Sequence, residues 1–352
     1  MKTPRIAVKF SFLVLLTLFG MPNLGLLTAG VQTDASSATK SWEEKIPRSL
    51  LPVPAAIEME SDIVYKTVGG EKLALDLYRV KGRKYDQAPL IIWIHGGGYT
   101  KGSKDGAVKH NADLMVPLLM EHGYLVASLD YRFVALKGPK LIDCQTDCMD
   151  AIRFLAKNSA RFGLDPSRMV SIGSSAGGSL ALMLALAQDG DLLGDPELAK
   201  TIAFAHTAIS WFGVTDFLKA KREASRSEDH FAALFDTSQE GDRQYEIVSP
   251  VWNMLKRTDK VPLLLVHGDG DKTVPFEQSV WMDAEAKRIG FPVQFVPVKN
   301  MRHGFQPTGK GDITPPLSEI WKLTLEFILK NNPAVRSAVK NHASFHKSTK
   351  RQ

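Results

Sequence analysis

Most of this chain alternates short, continuous apolar runs with stretches of helix length, and few folds accept that alternation. The runs are "LIIWIHG", "YLVASLDYR", "MVSIGSS", "AFAHTAISWFG", "PLLLVHGDGD" and "VQFVPVKN", six in order between residues 90 and 300. A strand that is apolar on both sides is covered on both sides, so the pattern predicts a mainly parallel sheet between two layers of helix. Two further strands, "DIVYKTV" and "EKLALDLYRV", flank Gly69 and Gly70 and read as a hairpin by their alternation, which makes eight strands in all. Helices are expected at about 107–122, 144–161, 177–188, 277–289 and 317–331. Residues 215–260, polar with embedded aromatics, read as a cap-like insertion of short helices over the sheet's carboxyl edge, where ligands bind in open α/β sheets.

The ends of the chain differ from this middle. Lys2, Arg5 and Lys9 precede the apolar run "FSFLVLLTLF", which is broken by Gly20 and Pro22. The run is too short for the ~20 residues of a spanning helix, so residues 1–30 read as a secretory signal cleaved near "TAG", with an uncleaved anchor as the weaker alternative. Residues 31–56 read as a linker, residues 57–331 as the folded domain and residues 332–352 as a basic, disordered tail. Export implies a periplasmic or extracellular protein with no stable membrane association. The net charge of +6 does not point to nucleic acid: the first 30 residues and the last 21 carry eight positive charges and no acid, leaving −2 on residues 31–331. Cys144 and Cys148 are the only cysteines; buried thiols and a disulfide remain equally open, and two ligands make no zinc site.

Three glycines in a row, Gly96 to Gly98 in "HGGGY", end the first of the six buried strands. A turn needs one or two, so a third implies close approach to bare backbone amides. Further on, Gly173-Ser174-Ser175-Ala176-Gly177 lies between an apolar strand and an Ala/Leu-rich helix. Alone the pattern is weak; between strand and helix it places a serine on a sharp turn with its hydroxyl exposed. A serine needs a base, and the base an orienting acid. Asp271 follows the strand "PLLLVHG" and His303 follows the next one, so the order is Ser, Asp, His. Asp269 competes with Asp271. Glycine amides beside that of Ala176 would then bind an oxyanion, with Gly97 and Gly98 as donors and Gly96 able to replace either.

These motifs, together with "AIRFLAKNSARFGLDPSRMVSIGSSAGG", "WFGVTDF", "HGDGDKTVPFEQS" and "RHGF", resemble the α/β-hydrolases of the hormone-sensitive-lipase and bacterial esterase kind, and within them the secreted feruloyl and acetylxylan esterase-like (BD-FAE-like) branch. The resemblance covers about residues 60–330. It implies an α/β-hydrolase fold, Ser175 as nucleophile, Asp271 rather than Asp269 as acid, His303 as base, and Gly97, Gly98 and Ala176 as oxyanion donors. It implies a serine carboxylesterase acting through an acyl-enzyme on small-molecule or polysaccharide esters, with neither cofactor nor metal. Tyr99, Trp211 and Phe212 are the expected substrate contacts. Ser210 stands where the family pattern has an acid. Asp130, Tyr131 and Arg132 read as a salt-bridged supporting loop, Asp147 and Arg153 as structural, and His95 and His267 as bonding neighbouring loops. A peptidase of this fold would bring a large gating domain for which residues 31–56 leave no room, and a non-catalytic binder would have lost a member of the triad.

Overall fold

The computed structural model describes residues 57–105, 115–223, 233–236 and 241–332. The expected signal (1–30) and linker (31–56) lie outside the described residues, as does the expected tail apart from its first residue. That residue, Asn332, is only 5% exposed and belongs to the fold.

Eight strands form one sheet: β1 (Ile57–Val68), β2 (Glu71–Val80), β3 (Ala88–Ile94), β4 (Leu125–Leu129), β5 (Leu164–Ser174), β6 (Thr207–Trp211), β7 (Leu263–Gly268) and β8 (Val293–Val298). Their order is β1-β2-β4-β3-β5-β6-β7-β8. Neighbours from β4 to β8 pair in parallel, while β2 is antiparallel to both β1 and β4. The hairpin closes on two residues: Val68 pairs with Glu71, and Gly69 and Gly70 sit at φ 58° and 84°. A two-residue turn with both φ positive matches the twist of the strands it joins, and glycine reaches it without strain.

The helices are α1 (Met115–Glu121), α2 (Leu141–Lys157), α3 (Ser159–Phe162), α4 (Ala176–Leu186), α5 (Phe217–Glu223), α6 (Arg243–Val248), α7 (Pro250–Lys256), α8 (Glu277–Ile289) and α9 (Leu317–Asn331). The two-face pattern read from the strands is visible residue by residue. In β3, Leu90, Ile92 and Ile94 enter the core beneath α2, α4 and α8, whereas Ile91 and Trp93 enter the core beneath α1 and α9. Strand β7 divides the same way, Leu263 and Leu265 against Leu264 and Val266. Every residue of α4 is buried, as expected of a helix apolar on all sides.

The helix expected at 144–161 begins earlier and is broken at Asn158, where the side-chain amide bonds back to Phe154 O at 2.8 Å. Its acidic residues are held from within. Lys66 Nζ lies 2.8 Å from Asp147 and 2.7 Å from Asp150, Arg132 Nε is 2.7 Å from Asp147, and Arg153 Nη1 is 3.3 Å from Asp150. Buried charges persist when paired in this way. Cys144 and Cys148 on the same helix are buried and unbridged. The described parts of residues 215–260 are short helices, with 224–232 and 237–240 outside the described residues. No helix among the described residues is long and apolar enough to cross a membrane.

Candidate active site

The carboxyl ends of β3, β5, β7 and β8 bring the glycine turn, Ser175, Asp271 and His303 to one edge of the sheet. Ser175 sits between β5 and α4 at φ 55°, ψ −122°, a region an L-residue enters only under constraint. The constraint is visible: its amide donates to Trp211 O at 2.8 Å, and the glycines around it let three backbones converge. A Cβ on Gly177 would stand 2.1 Å from Ile94 O, and one on Gly173 would stand 2.4 Å from Gly177 O. The spacing of glycines around the serine is therefore a packing requirement of the turn that presents its hydroxyl.

Ser175 Oγ donates to His303 Nε2 at 2.9 Å, and His303 Nδ1 donates to Asp271 Oδ2 at 2.7 Å. Because the carboxylate only accepts, the His303 proton sits on Nδ1 and the Nε2 lone pair faces the serine. The other carboxylate oxygen, Oδ1, accepts the amides of Thr273 at 2.9 Å and Val274 at 3.0 Å. Burial opposes ionisation of Asp271, but the hydrogen bonds from His267, His303 and the Val274 amide outweigh it and hold the carboxyl well below the usual carboxylate range. Asp269, the competing acid, is exposed and accepts the amide of Asn300 at 2.8 Å. It touches neither Ser175 nor His303.

Gly97 and Gly98 have φ of 114° and 63°, and a Cβ on Gly97 would lie 2.0 Å from Lys101 O. Gly96 presses on the serine turn: its Cβ would stand 3.4 Å from Ser175 Cβ. Among the described residues no acceptor takes the backbone amide of Gly97, Gly98 or Ala176. Ala176 opens α4, whose first amides carry partial positive charge. Unpaired amides next to a half-buried serine can bind a developing negative charge.

The structure buries all three of the expected substrate contacts. Trp211 is 1% exposed and packs edge-on against Trp93 and Phe305, because its position in β6 turns it toward the core beneath α9. Tyr99 is 3% exposed, its φ of 64° folding the ring inward toward Phe217. Phe212 is also 3% exposed; its ring meets that of His303 edge-on at 4.9 Å, so it contacts the base rather than offering surface to a ligand. Ser210 is buried in β6, its Oγ where Cβ atoms on Gly178 and Gly213 would come within 2.7 Å, and a longer acid does not fit there. Among the described residues, no group of three or more His, Cys, Asp or Glu is arranged to hold a metal.

Two contacts escaped the motif reading. The Phe212 ring on His303 carries no sequence signal beyond its place after β6. The Thr273 and Val274 amides on Asp271 do carry one, since an aspartate commonly accepts amides two and three residues on, and "DKTVP" has that form.

The BD-FAE family model matches residues 75–285. Among curated proteins, esterase LipQ of Mycobacterium tuberculosis is 27% identical over 78% of this chain and 64% of its own length. Methylphloroacetophenone synthase of Cladonia uncialis is 26% identical over 78% of this chain and 13% of its own. The chain thus spans less than two thirds of either relative. A solved thermophilic esterase from Thermogutta terrifontis, with propionate bound, is 28% identical, superposes with a TM-score of 0.63, and covers 79% of this chain and 94% of that one.

Proposed function

This chain belongs to the BD-FAE family and has the α/β-hydrolase fold, and from that premise we propose that it is a serine carboxylesterase working through an acyl-enzyme. The observation that carries the proposal is the continuous path from Ser175 Oγ through His303 to Asp271, at 2.9 and 2.7 Å, beside the unpaired amides of Gly97, Gly98 and Ala176. In the first half-reaction Ser175 Oγ attacks the ester carbonyl carbon while its proton passes to His303 Nε2. The carbonyl oxygen gathers negative charge against the three amides, and Asp271 stabilises the imidazolium that forms. Collapse expels the alcohol, which takes the proton from His303. Water then attacks the acyl-serine by the same route, releasing the acid and restoring the hydroxyl.

Support for a nucleophilic centre of this kind comes from the Thermogutta esterase, which has also been solved phosphonylated by sarin. Its propionate-bound and butyrate-bound forms favour short acids. We propose acetyl or feruloyl esters of polysaccharide as the natural substrates and export as the setting, the latter resting on the basic and apolar pattern of residues 1–30. Replacing Ser175 with Ala tests the reading: hydrolysis of a short nitrophenyl ester should fall by roughly 10³-fold or more with the fold intact. Near-normal turnover by that variant removes the reading.

A further inference from the structure

The steps above leave one buried imidazole beside the triad unused. His267 lies near the end of β7 with 0% exposure. Its Nδ1 is 2.8 Å from Ser279 Oγ on α8, and its Nε2 is 3.0 Å from Val274 O and 3.4 Å from Asp271 Oδ2. The partner at Nε2 fixes one proton. A carbonyl oxygen only accepts, so Nε2 carries a proton and donates to Val274 O, while the Ser279 hydroxyl can pair with Nδ1 in either direction. His267 thus presents an Nε2–H that is bonded to the Val274 carbonyl and lies 3.4 Å from the triad acid. The oxygen it approaches, Oδ2, is the one that accepts from His303. A leucine or phenylalanine would fill the same space, but it would leave the Val274 carbonyl and the Ser279 hydroxyl unpaired and take a donor from Asp271.

We propose that His267 is a positioning residue of the triad, a buried donor that stands against Asp271 Oδ2 beside His303 and so limits the basicity of the carboxylate on which His303 rests. Electron density that Oδ2 gives to one donor is less available to the other. With His267 in place, the Asp271–His303 bond orients the base without holding its proton too tightly. Without it, the carboxylate turns more fully to His303, stabilises the imidazolium and delays its deprotonation.

The other charged groups on the surrounding elements are few. Asp269 and Lys272, between β7 and α8, and Glu277, the first residue of α8, are exposed. Arg302, before His303, is exposed and donates to Pro307 O at 3.0 Å. Ser175 and Phe212, on the remaining sides, carry no charge. None of these changes when His267 is replaced.

The inference rests on Ser175, Asp271 and His303 acting as proposed, so its test reads the imidazole without turnover. The His303 ring is titrated by NMR in isotopically labelled full-length protein, with wild type, His267→Leu and His267→Gln compared, and the acid limb of kcat/KM is measured in parallel. The Leu variant should titrate higher by about half a pH unit or more, with kcat lower by about tenfold and KM unchanged. Gln, whose amide restores a donor toward Val274 O and Asp271, should return the titration to that of wild type. If the Leu variant does not fold, His267→Asn, too short to reach Asp271, takes its place against Gln. An unmoved or lowered titration in Leu or Asn, or a Gln variant indistinguishable from them, overturns the proposal. Failure of the esterase reading would show separately, as a wild type with no ester hydrolysis and a titration that still moves.

Discussion

Replacing Gly177 with Ala probes the geometry on which the whole site depends. The added methyl would lie 2.1 Å from Ile94 O and 2.6 Å from His95 O, where carbon contacts settle at about 3.5 Å or beyond. Both obstacles are backbone, and Ile94 is locked in the sheet by pairing with Leu129 on one side and Gly173 on the other. No rotamer relieves the overlap, so α4 must lift from the end of β3 by about 1 Å. Overpacking of this kind costs about 1–3 kcal/mol, and a clash with fixed backbone belongs at the upper end. The kinetic effect is larger in proportion. Ser175 and the Ala176 amide ride on α4 while Gly97 and Gly98 ride on β3, and a ~1 Å misplacement costs about 10²-fold in rate. The loss should fall on kcat, because the amides meet the oxyanion only as charge develops. Gly178→Ala is the internal comparison: its nearest obstacle is the Ser210 hydroxyl at 2.7 Å, which can rotate, and the next atoms are at 3.1 and 3.2 Å. Urea denaturation and steady-state kinetics on a nitrophenyl acetate ester read both quantities. A Gly177→Ala protein with the wild-type urea midpoint and kcat, or one less damaged than Gly178→Ala, would refute the reasoning.

Three further outcomes follow from the same contacts. Asp271→Asn should leave a folded protein with kcat lowered on the order of 10⁴-fold, while Asp269→Asn, which loses only a surface loop contact, should stay within a few-fold of wild type; the reverse ranking would reassign the acid. The native carboxyl of Asp271 is held below its unfolded value, so its contribution to stability is present above about pH 4 and is lost as the pH falls further toward the native value; the stability gap between wild type and Asp271→Asn in urea titrations should narrow over that range, and a gap that widens on acidification contradicts the assignment. Lys66→Met removes the ammonium shared by Asp147 and Asp150, both 0% exposed, and should destabilise the fold by about 3 kcal/mol, the lower end for a broken buried pair because Arg132 and Arg153 remain; an unchanged urea midpoint would mean the carboxylates do not depend on it.

Much of the fold was legible because its strands are buried on both faces. A run such as "LIIWI" has only one comfortable setting, a central parallel strand, and the hairpin was legible from Gly69-Gly70 between alternating strands. The arrangement of the candidate site was legible because each motif is a local solution to a local problem: the turn at Ser175 needs Gly173 and Gly177 at those distances from Ile94 and from each other, and the Asp271 loop places amides at positions 273 and 274. The aromatic contacts were not legible. Trp211 ends, and Tyr99 and Phe212 follow, strands that reach the site, yet which way each ring points depends on strand register and on a positive φ at Tyr99 and Phe212, neither of which composition or spacing encodes. The end of α2 and the inclusion of Asn332 in the fold were missed for a related reason, since both are settled by bonds and burial made after folding.

The central claim is that Ser175 is a nucleophile activated by His303, and it is tested most directly by labelling the full-length protein with a fluorophosphonate probe and locating the adduct by mass spectrometry. The account predicts a single adduct on Ser175 Oγ, absent from Ser175→Ala, slowed by orders of magnitude in His303→Ala, and formed in step with loss of ester hydrolysis. An adduct on Ser174 or any other residue, or ester hydrolysis that persists after Ser175 is fully labelled, would contradict it.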